Sequence, residues 1–222
     1  MNPKYSIIIP VREEPYINNL VKDIKKNINN CEIIIVDKSK IVPIFSEKNV
    51  YVIKQRSNGL GNAILEGLNH SKGDVIATMD GDGSHDAADL KKMLEKIPEY
   101  DIAIGSKLVE GGRTEDTFSR RILTIVFDNL ARLILGIKVK DPMTGFMVVK
   151  RGVLERIRLR PKGFKIVLEI LFKSKAAKVV EVPITFHKRK AGTSKVGFNV
   201  KGLKEVFRIL RLIIELRLGV DG

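Results

Sequence analysis

Two aspartates one residue apart close an apolar run in ATMDGDGSHDAADL, residues 77–90. Unpaired carboxylates at the end of a core strand would be costly. A Mg²⁺ or Mn²⁺ ion held by Asp80 and Asp82 together with diphosphate oxygens and water would remove that cost, because both cations prefer hard oxygen ligands; a turn in which Asp80 caps and Asp82 is solvated is the bland alternative. Gly81 and Gly83 let the backbone approach a ligand closely. His85 could be a ligand or a base, but a lone histidine beside a helix start more often reads as a hydrogen-bonded turn residue. Asp86 and Asp89 suit the positive end of the helix that follows and need no catalytic role.

A second chemical signal is cationic. The stretch TFHKRKAGTSKVG, residues 185–197, crowds His187, Lys188, Arg189, Lys190 and Lys195 around an Ala-Gly-Thr-Ser turn. Arginine offers forked donors to phosphate and lysine a compact charge, so such a loop can close over a diphosphate. A solvated charged loop is the bland alternative. The glycine signal GLGNAILEG, residues 59–67, carries Ile64 where a dinucleotide fingerprint needs its third glycine. No phosphate-loop pattern is present either, which argues against NAD-dependent and P-loop chemistry.

These groups must be positioned by regular elements. Strand-like runs cover residues 5–10, 32–37, 49–55, 74–80 and 101–106. Between them lie helical patterns over 14–28, 59–71 and 85–97, with apolar residues three and four apart. That alternation predicts an α/β layered domain with a mostly parallel central sheet flanked by helices. In such sheets ligands sit beyond the carboxyl ends of the strands. Pro10 to Glu14, Asp37, Gln55–Arg56, Asp80–Asp82 and Ser106–Lys107 would then gather along one edge. Further on, 118–137, 163–177 and 200–218 read as helices, and 146–151 and 178–186 as strands.

Length and composition set the frame. The 222 residues suit one large domain, or one domain with an appended element, and 44% hydrophobic content can fill a sizeable core. The single Cys31 rules out an internal disulfide and makes a reducing interior the default. No leader-like N-terminus and no spanning apolar run is evident, so the chain is expected to be soluble or peripheral. The net charge of +14 is uneven. Residues 151–222 hold 18 Lys/Arg against 6 Asp/Glu, a balance of +12, and residues 1–150 supply only +2. A phosphorylated substrate, an anionic membrane surface or nucleic acid could each meet that basic last third.

The ordered motifs resemble those of family 2 glycosyltransferases of the GT-A fold, and among them the dolichol-phosphate and polyprenyl-phosphate mannosyltransferases. IIIPVREE resembles the family's V-x-P-T-Y-N-E, with Arg12 at the aromatic position, and EIIIVDKSK resembles E-I-I-V-V-D-D-x-S, with Lys38 at the second aspartate. GLGNAILEGLNHSKGDVIATMDGDGSH, GSKLVEGG, DPMTGF and VPITFHKRKAGTSK resemble four further motifs in the family's order.

The resemblance implies a GT-A catalytic domain over residues 1–200. The basic amphipathic helix 201–222 would either pack on it or lie in a membrane interface. Pro10, Arg12, Glu14, Asp37, Gly81, Lys107, Arg189 and Lys195 would bind the donor. Asp80 and Asp82 would hold the metal, with Ser84 at a position where relatives offer a further contact. Asp82, Arg121 and Arg189 would carry catalysis, and Ser194 would help handle phosphate. The implied reaction is metal-dependent, inverting transfer of a hexose, with GDP-mannose the leading donor, onto dolichyl or polyprenyl phosphate. The implied location is peripheral, at the cytoplasmic membrane face. A UDP-sugar donor such as UDP-glucose, or a non-lipid acceptor, remains open. A non-enzymatic nucleic-acid-binding module is the remote alternative, because it leaves the strand-end aspartates unexplained.

Overall fold

The computed structural model describes residues 3–160, 165–189 and 200–219. The chain runs β1 (Tyr5–Val11), α1 (Ile17–Asn27), β2 (Cys31–Asp37), β3 (Val50–Lys54), α2 (Leu60–His70), β4 (Val75–Thr78), α3 (Ala87–Leu94) and β5 (Ile102–Ser106). Then follow β6 (Arg113–Thr114), α4 (Phe118–Leu135), β7 (Met147–Lys150), α5 (Arg151–Glu155), α6 (Ile166–Lys173), β8 (Val179–Pro183), β9 (Thr185–Phe186) and α7 (Val200–Leu218).

Seven strands form one sheet in the order β3-β2-β1-β4-β7-β5-β8. Ile7, Ile8 and Ile9 are all fully buried, because both faces of the sheet are covered. Ile7, Ile9, Ile33 and Ile35 pack under α1 and α3. Ile8, Ile34 and Val36 pack on the other side against Ala63 and Ile64 of α2, within a cluster that also takes in Ile166, Val167 and Ile170 of α6. A third cluster joins Phe127, Ala131 and Leu135 of α4 to Leu168 of α6 and to Ile209, Leu212 and Ile213 of α7. Helix α7 thus packs against the body of the protein along one face.

One strand departs from the expected parallel order and decides the site. β7 runs antiparallel to both β4 and β5, pairing Met147 with Thr78 and with Ile104. An antiparallel strand begins where its parallel neighbours end. The loop that precedes it, residues 141–146, is therefore delivered to the same edge as Asp80–Asp82 and Ser106–Lys107. The expected strand 178–186 also divides. Residues 179–183 pair with β5, whereas Thr185 and Phe186 form a second small sheet with β6, an element the periodicity did not signal.

Candidate active site

The strand-end edge carries two cavities. The larger, about 700 Å³, is lined by Pro10, Arg12, Glu14, Lys38, Gln55, Gly59, Asp80, Gly81, Asp82 and Thr144, among others. The smaller, about 470 Å³, lies between α4, α7 and the segment after β9, lined by Glu115, Arg120, Leu123, Phe127, Asp128, His187, Lys188 and Ile209, among others. Lys107, Asp141, Met143, Lys165, Phe186 and Arg189 border both. Two pockets thus meet at a wall carrying three cations and one acid.

The aspartate loop is tightly held. Asp82 is buried, and its Oδ1 accepts the Ser84 backbone N–H at 3.0 Å and the Ser84 hydroxyl at 2.6 Å. Its Oδ2 pairs with Arg189 Nε at 2.9 Å. Gly83 takes φ +78°, a left-handed turn that favours glycine. His85 is buried, and its Nδ1 accepts the Asp80 N–H at 3.2 Å. Its ring stacks on Phe146 with centroids 4.5 Å apart. Burial holds the imidazole below its ordinary pKa against the pull of Asp80 and Asp82, which fits the neutral acceptor this contact requires. His85 is thus the turn residue its position suggested. Gly81 lines the larger cavity but also answers a packing need, since a Cβ there would lie 2.8 Å from Val11 Cγ1.

The segment after β9 is strapped to this loop. The His187 N–H donates to Ser84 O at 3.0 Å. Its ring bridges Asp86 Oδ2 at 2.8 Å and Glu115 Oε1 at 3.2 Å, and Lys188 N–H donates to Glu115 Oε2. Those two carboxylates outweigh partial burial and raise the His187 pKa. Asp86 therefore has a partner across the site, beyond its place at the start of α3.

A buried charge cluster lies under the shared wall. Asp141 Oδ2 accepts the Lys107 N–H at 3.2 Å and lies 3.7 Å from Lys107 Nζ. Glu181 of β8 holds that loop by accepting the N–H groups of Lys140 and Asp141. Lys165 Nζ donates to Met143 O at 2.5 Å, and burial depresses its pKa. Asp128 Oδ1 accepts the Met143 N–H at 3.2 Å, while Asp128 Oδ2 and Asp141 Oδ1 are buried with no hydrogen-bond partner among the described residues.

Pro10, Arg12, Glu14, Asp80, Gly81, Asp82, Lys107 and Arg189 all line the larger cavity. Arg121, Asp37 and Ser84 do not. Arg121 is exposed on α4 and off both cavity walls; Arg120, one position earlier and 100° around the helix, takes the wall instead. Asp37 is fully buried, with Oδ1 accepting the Ser39 hydroxyl at 2.6 Å and Oδ2 without a hydrogen-bond partner among the described residues, while its neighbour Lys38 lines the cavity. Ser84 is fully buried, with its hydroxyl given to Asp82. Ser194 and Lys195 lie outside the described residues. Lys165, Asp128 and Arg120 were missed. Asp128 had a signal: it shares the core-facing phase of α4 with Thr124, Ala131 and Leu135.

The donor set suits a hard divalent cation. No group of three or more His, Cys, Asp or Glu side chains among the described residues could close around an ion. Asp80 and Asp82 would supply two oxygens and leave room for water and substrate oxygens, as Mg²⁺-type sites do. Arg189 on Asp82 shows that this carboxylate already attracts a cation.

Residues 6–158 match the family described as "Glycosyl transferase family 2". A dolichol-phosphate mannosyltransferase of Pyrococcus furiosus is 37% identical over 96% of this chain and 63% of its own length. A polyprenol monophosphomannose synthase of Mycolicibacterium smegmatis is 34% identical over 68% of this chain and 62% of its own. The chain thus spans somewhat under two thirds of these two relatives. Among solved structures, glucosyl-3-phosphoglycerate synthase of Mycobacterium tuberculosis, crystallised with Mn²⁺, UDP and glucosyl-3-phosphoglycerate, superposes with a TM-score of 0.65 at 16% identity. That match covers 98% of this chain and 79% of that one. The sheet order, the strand-end aspartate loop and the match over residues 6–158 together make this chain a member of glycosyl transferase family 2, with the GT-A fold.

Proposed function

We propose that the protein transfers a hexose, mannose from GDP-mannose, onto a polyprenyl or dolichyl phosphate with inversion. The single observation that carries this reading is the shared cationic wall. A donor diphosphate in the larger cavity and an acceptor phosphate in the smaller one would meet at Lys107, Lys165 and Arg189. Leu123, Phe127, Met143 and Ile209 give the smaller cavity the apolar lining that a prenyl chain favours. The relatives' names point to the same acceptor class.

Pro10, Arg12, Glu14 and Lys38 would enclose the nucleotide, and Lys195 would join the donor site from the basic segment. Asp80 and Asp82 would hold Mg²⁺ or Mn²⁺, which supplies Lewis-acid charge neutralisation at the donor diphosphate. Ser84 serves by fixing the Asp82 carboxylate. Arg189, which pairs with Asp82 and borders both cavities, would offer its fork to phosphate. The acceptor phosphate oxygen attacks the anomeric carbon, and nucleoside diphosphate leaves from the opposite side. A phosphate monoester is largely ionised near neutral pH, so this attack needs no general base. The positive charge of Lys107 and Arg189 offsets the repulsion between the two phosphorylated substrates.

A membrane-peripheral position at the cytoplasmic face fits the outer surface. Phe118, Ile122, Ile125 and Val126 of α4 and Phe207, Ile214 and Leu218 of α7 are exposed, with Arg121, Arg211 and Arg217 among them. Apolar side chains interleaved with arginine suit an anionic lipid interface. No helix among the described residues is long and apolar enough to cross a membrane.

The test is calorimetric titration with GDP-mannose and UDP-glucose, each with Mn²⁺ and with chelator, followed by transfer to farnesyl phosphate. GDP-mannose binding that needs the metal, and mannosyl transfer, are expected. Tighter binding of UDP-glucose would overturn the donor, and chelator-insensitive binding would overturn the metal.

A further inference from the structure

We propose that Asp128 meets the acceptor phosphate as a neutral carboxylic acid, donating a hydrogen bond from Oδ2 into the smaller cavity. This rests on the reading of that cavity as a phosphate site. Asp128 is 1% exposed, buried on α4 with Phe127, Ala131 and Leu135, yet it lines the cavity. Its Oδ1 is taken by the Met143 N–H, and Oδ2 is buried and has no hydrogen-bond partner among the described residues. An ionised carboxylate offers about four acceptor sites, and one contact does not compensate for its burial. A protonated one needs a single further acceptor, and a phosphate oxygen provides it.

The surrounding groups favour the neutral form. Asp141 lies next to Asp128 in the same cluster, held by Lys107 at 3.7 Å. Lys165 is committed to Met143 O, and Arg132, one turn along α4, donates to Asn129. From α7 the cluster receives apolar Ile209, Leu212 and Ile213. Burial, then the Asp141 charge, push the Asp128 carboxyl up to about 7, against the weaker pull of Lys107 and Lys165. An incoming phosphate adds negative charge beside it and strengthens that bias. Acceptor binding and protonation of Asp128 are therefore linked. Above neutrality the bare carboxylate repels the phosphate it would otherwise hold.

The experiment is calorimetric binding of farnesyl phosphate at pH 6.5 and 8.5 to the full chain and to Asp128→Asn and Asp128→Leu, with melting curves to confirm folding. With a carboxyl titrating at about 7, the wild type should bind about thirtyfold more weakly at pH 8.5 than the Asn variant does. Asp128→Leu, which has no donor, should bind more weakly than the Asn variant at both pH values. The acceptor's own ionisation is common to all three proteins and cancels. Equal pH dependence in wild type and Asn variant would overturn the role of Asp128 while leaving the lipid-phosphate reading intact. Absence of farnesyl phosphate binding in every form would overturn both. A wild-type transfer rate that rises through pH 7 and is lost in Asp128→Asn, with farnesyl phosphate binding unchanged, would instead make Asp128 a base for a hydroxyl acceptor.

Discussion

Phe146 ties the stability of the core to the aim of the aspartate loop, and replacing it separates the two. Its side chain is fully buried, and its ring lies 4.5 Å from that of His85 at an interplanar angle of 17°. His85 in turn accepts the Asp80 N–H. Phe146→Ala removes a whole buried ring and should cost about 3–5 kcal/mol. For a chain of this size that lowers the melting temperature by roughly 6–20 °C. Phe146→Leu refills most of the volume, costs under about 1.5 kcal/mol, and removes only the stack. A ring–ring contact is worth about 0.5–1.5 kcal/mol, so releasing His85 from its stack in the Phe146→Leu variant should weaken Mn²⁺–GDP binding about two- to tenfold. Scanning calorimetry gives the first quantity and titration calorimetry the second. Phe146→Leu binding Mn²⁺–GDP as tightly as the wild type would refute the link between the stack and Asp80. A fall of less than about 3 °C for Phe146→Ala would refute its place in the core.

Other perturbations address separate parts of the site and fold. Asp82→Ala should lower transfer by at least about a hundredfold, the scale expected when an electrostatic anchor is lost. The variant should still fold, at a melting temperature lowered by several degrees, because buried Ser84 loses the acceptor of its N–H and hydroxyl and Arg189 its partner; a retained rate would refute the metal role. Gly73→Ala would place a Cβ 2.7 Å from the Ser6 backbone nitrogen, and overpacking of that kind costs about 1–3 kcal/mol, read as a lower denaturation midpoint. The His187 bridge is a pH prediction. Its folded pKa is raised, so its contribution is full below the ordinary histidine value and is lost as pH rises through the folded one. His187→Gln should therefore melt below the wild type at pH 6 and match it at pH 8.5; a constant difference would assign the bridge a role independent of charge.

Local pattern was enough for the first half of the fold. The runs at 5–10 and 32–37 form parallel neighbours whose fully buried isoleucines match a two-faced core. The strand-end rule placed Pro10, Arg12, Glu14, Asp80, Asp82 and Lys107 at one edge, because each belongs to a strand or turn whose direction the alternation with helices fixes. The DGDGSH turn was legible for the same reason: Asp82 closes on Ser84, and His85 on Asp80, within six residues.

What the tertiary structure decided depends on partners far away in the chain. The antiparallel insertion of β7 follows from pairing with strands about 45 and 70 residues earlier, and it alone brings Asp141 and Met143 to the wall. Arg120 replaces Arg121 there because packing of α4 on α6 and α7 sets its rotation, and one residue is a turn of 100°. Lys165 is one lysine among many in a basic segment until Met143 O fixes it between the two cavities. The sequence determined which residues could do chemistry and at which edge they lie. Only packing between elements distant in sequence decided which of them face the same space, because helix rotation and strand direction are properties of the assembled core.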